Sequence, residues 1–217
     1  MSGVTPARAG GHLPSSTRTN TQDVLFGSYL SGDPTVRDWA ESVVGEALAT
    51  AEDAVRTEHQ RLLEAQGGHL HVMAGPAEAA RQDVEAAAEK AGISPQAAKA
   101  ALSGDTDTAF MACQDIEHSP VTPGGGACKA SFLACFSCRN AVATEDHLPA
   151  LLALQDDLAA RWEGTDREAW WRRYGQAWVA IAEDIIPAFT PAEKARAAAR
   201  KPTSTPLDLL EGPKEDQ

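Results

Sequence analysis

The chain has 217 residues, of which 43% are hydrophobic and 23% charged, the proportions of a globular domain or two small ones. Its formal net charge of −12 argues against a freestanding nucleic-acid binder, which carries a basic face. No window approaches the roughly 18 apolar residues of a membrane span, and the first residues hold no secretory apolar run, so a cytoplasmic protein is expected.

Residues 1–20 are rich in Gly, Pro, Ser and Thr and are expected to be disordered. Val24, Leu25, Phe26, Tyr29 and Leu30 form a short apolar patch. Asp33 as a cap and Pro34 at the first helical position open a helix. Val36, Trp39, Val43, Ala47, Leu48, Ala51 and Val55 give it an apolar stripe that extends to Leu62 and Leu63. Gly67 and Gly68 end the helix, and residues 67–75 read as a linker. His69 and His71 in that linker have no third ligand nearby, so a metal pair is not expected there.

Pro76 starts a second helix to Ala91, closed by Gly92. Ser94-Pro95 caps a third that ends at Leu102 before Gly104. This unit has the form of a helix-turn-helix, in which Gln96 and Lys99 would face a DNA groove. Its second helix offers few base-reading side chains, so an ordinary helical hairpin is the simpler reading.

The stretch Ala112–Thr144 holds all four cysteines, Cys113, Cys128, Cys135 and Cys138, spaced C-x14-C-x6-C-x2-C. A C-x2-C pair sets two thiolates on one side of a tight turn, and two more from a Pro/Gly-rich loop complete a tetrahedral site. The expectation is a metal knuckle over 105–147, with structural zinc preferred. A [4Fe–4S] cluster is the alternative that spacing alone leaves open. Two disulfides, free buried thiols beside Phe132, Leu133 and Phe136, and a redox C-x-x-C are the other uses of such cysteines. His118 and His147 flank the knuckle, where a solvated or capping role is the simplest.

Thr144 is expected to cap a helix running through Trp162 that starts close to His147, because Pro149 fits only a first turn. Gly164 ends it. Thr165-Asp166-Arg167-Glu168 has the T-x-x-E form of a capping box for a helix carrying Trp170, Trp171, Tyr174, Trp178, Ile181 and Ile185. Pro187 stops that helix, and Thr190 starts a last one to about Arg200. Residues 201–217 read as a disordered tail. No strand signal stands out, so the fold expected is an all-α helical bundle with an irregular cysteine loop. It divides into a helical region over 21–104, the knuckle, and a helical region over 148–200. Nucleophile, phosphate-cradle and dinucleotide motifs are absent, and Asp156-Asp157 and Glu183-Asp184 read as solvated helix faces. A non-enzyme with no evident small-molecule substrate is expected.

The run from Cys113 to Leu151 resembles the C-terminal cysteine-rich region of large bacterial tyrosine-type site-specific integrases. The features that carry the resemblance are Cys113, Ser119-Pro120, Gly126, Cys128, Phe132, Cys135, Cys138, Asn140-Ala141 and His147-Leu148-Pro149. Residues Asp33 to Glu52 are similar in style to the helix that precedes that region. The resemblance implies the four cysteines as metal ligands and a recombinase or mobile-element DNA as partner. It implies no catalytic residue here: the only tyrosines are Tyr29 and Tyr174, there is no His-x-x-Arg box, and the chain is too short to hold the catalytic domain upstream. A helix-turn-helix DNA-binding regulator and an iron–sulfur redox sensor are the alternatives.

Overall fold

The computed structural model describes residues 34–67, 70–122, 124, 126–203 and 205. The expected disordered tails, apart from 201–203 and 205, lie outside the described residues, as do the Val24–Leu30 patch, Asp33 and His69. Helices dominate, and none among the described residues is long and apolar enough to cross a membrane. The chain divides into two units, 1–52 and 53–217, with the boundary inside helix α1 (Pro34–Gln66). In the first unit the expected stripe is only partly covered: Val43 is exposed and Leu48 half-buried.

The second unit carries a feature the sequence reading did not anticipate, a three-stranded sheet. Strands β1 (His71–Met73), β2 (Ala112–Cys113) and β3 (Ala141–Thr144) lie in the order β1-β3-β2. Strand β1 runs parallel to β3, with His71 opposite Val142. Strand β2 runs antiparallel, with Cys113 opposite Ala141. The supposed linker after Gly67 is therefore partly a strand. The all-α expectation holds as a mainly helical fold and is corrected in this respect. Strands of two to four residues fall short of the usual five or six and give no period-2 pattern to read.

The helix expected from Pro76 to Ala91 is two, α2 (Ala77–Gln82) and α3 (Val84–Ala91), because Asp83 leaves the helical conformation and its carboxylate accepts from the Ala86 N–H. Gly92 then takes the left-handed conformation (φ 68°) that closes α3, and the Ser94 hydroxyl caps α4 (Pro95–Ser103). Ala88, Ala91, Ala98, Ala101 and Leu102 pack with Met73, Ala112 and Val142 into one core. Small alanines let these short helices lie close to the sheet.

Helix α5 (Leu148–Gly164) buries Leu148, Leu151, Leu154 and Leu158 completely, as its spacing requires. Helix α6 (Arg167–Val179) is capped by the Asp166 carboxylate on the Ala169 N–H, so the capping residue is Asp166 and not Thr165. The tryptophans pack edge to face: Trp170 lies 4.9 Å from Trp162 and 5.2 Å from Trp171, and its Nε1 donates to the Leu158 carbonyl. A Cβ on Gly175 would stand 2.8 Å from Trp171 and 2.9 Å from Val55, so only glycine permits this approach. The chain then widens into a π-helical segment (Ala180–Ile185) and a short 3-10 turn around Pro187. Glu183 and Asp184 are not idle surface charges: they pair with Arg56 at 2.9 Å and with buried His59 at 2.7 Å. Helix α7 (Pro191–Ala198) begins with the complete Thr190–Glu193 capping box.

Candidate metal centre

Strand β3 is buried along its whole length, and the two sites of interest stand at its two ends. Before it comes a 3-10 turn (Phe132–Ser137), opened by the Ser131 hydroxyl on the Leu133 N–H and closed by the Cys138 N–H on the Cys135 carbonyl. Phe136 is fully buried and packs with Phe110, which also meets Phe132 at 5.0 Å between ring centroids. This aromatic anchor fixes the C-x2-C turn against the sheet. Cys113 ends β2. Cys128 is placed by its own N–H, which donates to the Ile116 carbonyl at 2.7 Å, while the Ser119 N–H donates to the Gly126 carbonyl at 2.9 Å. Asn140 clamps the same loop, its Nδ2 donating to the carbonyls of Asp115 at 2.8 Å and His118 at 3.1 Å.

The result is that Cys113, Cys128, Cys135 and Cys138, separated by up to 25 positions in the chain, line one cavity of about 20 Å³. All four are free, so no disulfide is formed. Among the described residues, no three His, Cys, Asp or Glu side chains stand in an arrangement that could hold a metal ion as they lie. The cysteines are gathered, but not drawn into ligand geometry.

The electrostatics follow from that gathering. Burial pushes the Cys135 thiol up to about 12, and the neighbouring Cys138, Cys113 and Cys128 push it the same way against the Thr108 hydroxyl. Burial also raises Cys113, opposed by the Asp115 N–H and reinforced by Cys128. Burial raises Cys138, opposed by the N–H groups of Asn140 and Ala141 and reinforced by Cys113 and Cys128. Cys113, Cys135 and Cys138 each feel neighbouring thiols. Thiols raised in this way stay protonated and neutral, and a divalent cation would have to displace their protons to be bound.

Neither flanking histidine lines the cavity. His118 is exposed and pairs with Asp115 at 2.9 Å. His147 is buried at the other end of β3. Its Nδ1 accepts from the Thr144 N–H at 3.1 Å, and its Nε2 lies 2.9 Å from Asp107. Thr144 is thus a strand residue holding His147, not a helix cap. The Thr144–His147–Asp107 order is that of a nucleophile, base and acid, but Thr144 is only 1% exposed, so its hydroxyl does not face solvent.

The sequence reading missed the rest of this turn. Buried Glu145 accepts from the Ala77 N–H at 2.8 Å and from Arg196 at 2.6 and 2.9 Å. Asp146 pairs with Arg81. Glu193 accepts from the Gly75 N–H at 2.8 Å as well as from Thr190. Burial alone would raise Glu193, but the Thr190 hydroxyl, the Thr190 and Gly75 N–H groups and the Arg196 charge hold it below the ordinary carboxylate range. Apart from the local Thr190–Glu193 pair, these partners stand 51 to 118 positions apart, beyond any local pattern.

Gln96 and Lys99 are both exposed on α4, opposite its buried Ala98, Ala101 and Leu102, and lie apart from the thiol cavity. No protein-family model matches this chain, and no curated protein or solved structure does either.

Proposed function

We propose that the four thiols hold one zinc ion as thiolates, and that the chain is a non-catalytic, metal-stabilised helical protein. The observation that carries this reading is the convergence of Cys113, Cys128, Cys135 and Cys138 on a single small cavity. Structural zinc held by four thiolates is the commoner use of such clustered cysteines, and a [4Fe–4S] cluster is the alternative. Four protein thiolates close a tetrahedral zinc site and leave no open position for a reacting water, so the ion is structural. Cys135 and Cys138 from the 3-10 turn, Cys113 from β2 and Cys128 from the loop would be its ligands.

The resemblance of the Cys113–Leu151 run to the cysteine-rich region of tyrosine-type integrases would imply an accessory role in site-specific recombination, in contact with a recombinase or its DNA. The net charge of −12 favours the protein partner. A second reading, a DNA-binding regulator, draws on the α3–Gly92–Ser94–α4 hairpin with Gln96 and Lys99 exposed.

Metal analysis of protein purified without air tests the first claim: about one zinc per chain and no visible band is expected. Iron with a broad visible band would move the assignment to the redox sensor. A gel shift at low salt separates the partners. No shift with any duplex fits the protein contact, whereas specific, steeply salt-dependent binding abolished by Lys99→Ala selects the regulator.

A further inference from the structure

The second unit holds a groove of about 440 Å³ between residues 54–58 of α1, the 3-10 turn and helix α6. Its origin lies in the sequence. Gly175 brings α6 against Val55 of α1, while Ala54, Ala134 and Ala177 on the groove's walls are too small to fill the space. Val55, Leu133 and Trp171 make the lining largely apolar. Small-molecule sites of roughly 300–1,000 Å³ combine such a lining with a few placed polar groups.

The polar groups on the lining are not equally available. Glu58 is engaged, since its two carboxylate oxygens each accept from the Arg61 guanidinium at 2.7 Å. The Arg173 guanidinium lies 5.5 Å from the centroid of the Tyr174 ring, within cation–π range. Arg172 is exposed and has no hydrogen-bond or ion-pair partner among the described residues, and the half-buried Gln176 amide has none either. These two stand four positions apart on α6 and so share one helix face. The groove therefore offers one uncommitted guanidinium and one uncommitted amide beside an apolar lining, while its carboxylate is already neutralised. The chain's net charge of −12 opposes an anion only weakly here, because screening acts over about 8 Å at physiological ionic strength. A guanidinium–carboxylate fork acts at contact distance.

We propose that this groove binds a small carboxylate with an apolar body, the carboxylate on Arg172 and Gln176 and the body against Val55, Leu133 and Trp171. Binding there requires no metal at the cysteines.

The test is calorimetric titration of the full chain with octanoate and with indole-3-acetate, each compared with its neutral partner, 1-octanol or indole-3-ethanol. One site per chain is expected for at least one of the acids, with the matching alcohol weaker by about tenfold. Which acid binds tells whether the body is a chain or a flat ring. Arg172→Gln should lower the acid to the affinity of its alcohol and leave the alcohol unchanged. Ala54→Leu, at an exposed position of α1, should fill the groove and abolish binding with thermal unfolding unchanged. Should that variant fold poorly, the exposed Arg172→Gln change still decides the matter. No saturable binding of either acid, equal affinity for acid and alcohol, or undiminished binding in a folded Ala54→Leu chain would overturn the proposal.

Discussion

Strand β3 links two sites built on opposite plans. At its N-terminal end, Cys138 and Asn140 belong to a cavity where four thiols converge and burial raises Cys113, Cys135 and Cys138 above the ordinary thiol range. At its C-terminal end, Thr144, Glu145, Asp146 and His147 each fasten a different neighbour: His147 reaches Asp107, Glu145 reaches Ala77 and Arg196, and Asp146 reaches Arg81. The second site is complete with the protein's own atoms. The first gathers four free thiols in one cavity. The contrast teaches where to look for an external group: where a fold concentrates like chemistry without partners, not where it pairs opposite charges.

The largest expected effect is at the thiol cavity. Cys135→Ala should abolish metal uptake and unfold the loop between β2 and β3. Structural zinc contributes on the order of 10 kcal/mol in small zinc domains, so a loss of several kcal/mol in thermal or denaturant unfolding is the outcome to measure. Unchanged stability would put the two ends of β3 on the same footing.

Glu145→Ala should cost about 3 kcal/mol, because it removes a buried carboxylate and strands both Arg196 and the Ala77 N–H. Half of the Arg196 side chain is exposed, which places the effect at the low end of the range for buried pairs. Metal content should be unaffected. A variant that also loses its metal would show that the two sites are one cooperative device.

Gly175→Ala should destabilise by about 1–3 kcal/mol, despite alanine's better helix propensity, since its Cβ meets Trp171 and Val55. This substitution touches neither end of β3 and serves as the packing control.

The smallest effect is a pH dependence. Glu193 has a depressed pKa in the folded chain, so its contribution to stability is present above the ordinary carboxylate value of 4.5 and is lost as pH falls through the folded value. Denaturation followed from pH 6 downward should show this loss in wild type and a flatter profile in Glu193→Gln. An identical slope in the two would remove Glu193 from the account.

What the sequence made legible divides along the same line. Helices with strong caps and long apolar stripes were readable: Ser94 before α4, Thr190 with Glu193 before α7, and the leucines of α5 all act locally. The cysteine cluster was readable because Cys is rare and spacing restricts its uses. The sheet was not, since A-V-A-T and H-V-M are too short to show a period. Nor was the Glu145 turn, because its partners come from distant segments and a single acidic residue after a strand carries no local signal. Asp83 and Asp166 took capping roles because a short carboxylate next to an orphan N–H outcompetes continuation of the helix or a capping threonine one residue earlier.

The most direct test of the central claim is the metal content of the full chain purified without air, by elemental analysis with an absorption spectrum. The account predicts about one zinc per chain, no visible band, and stoichiometric loss of the zinc in Cys135→Ala. Metal-free protein of unchanged stability would contradict it and leave Cys113, Cys128, Cys135 and Cys138 as core thiols.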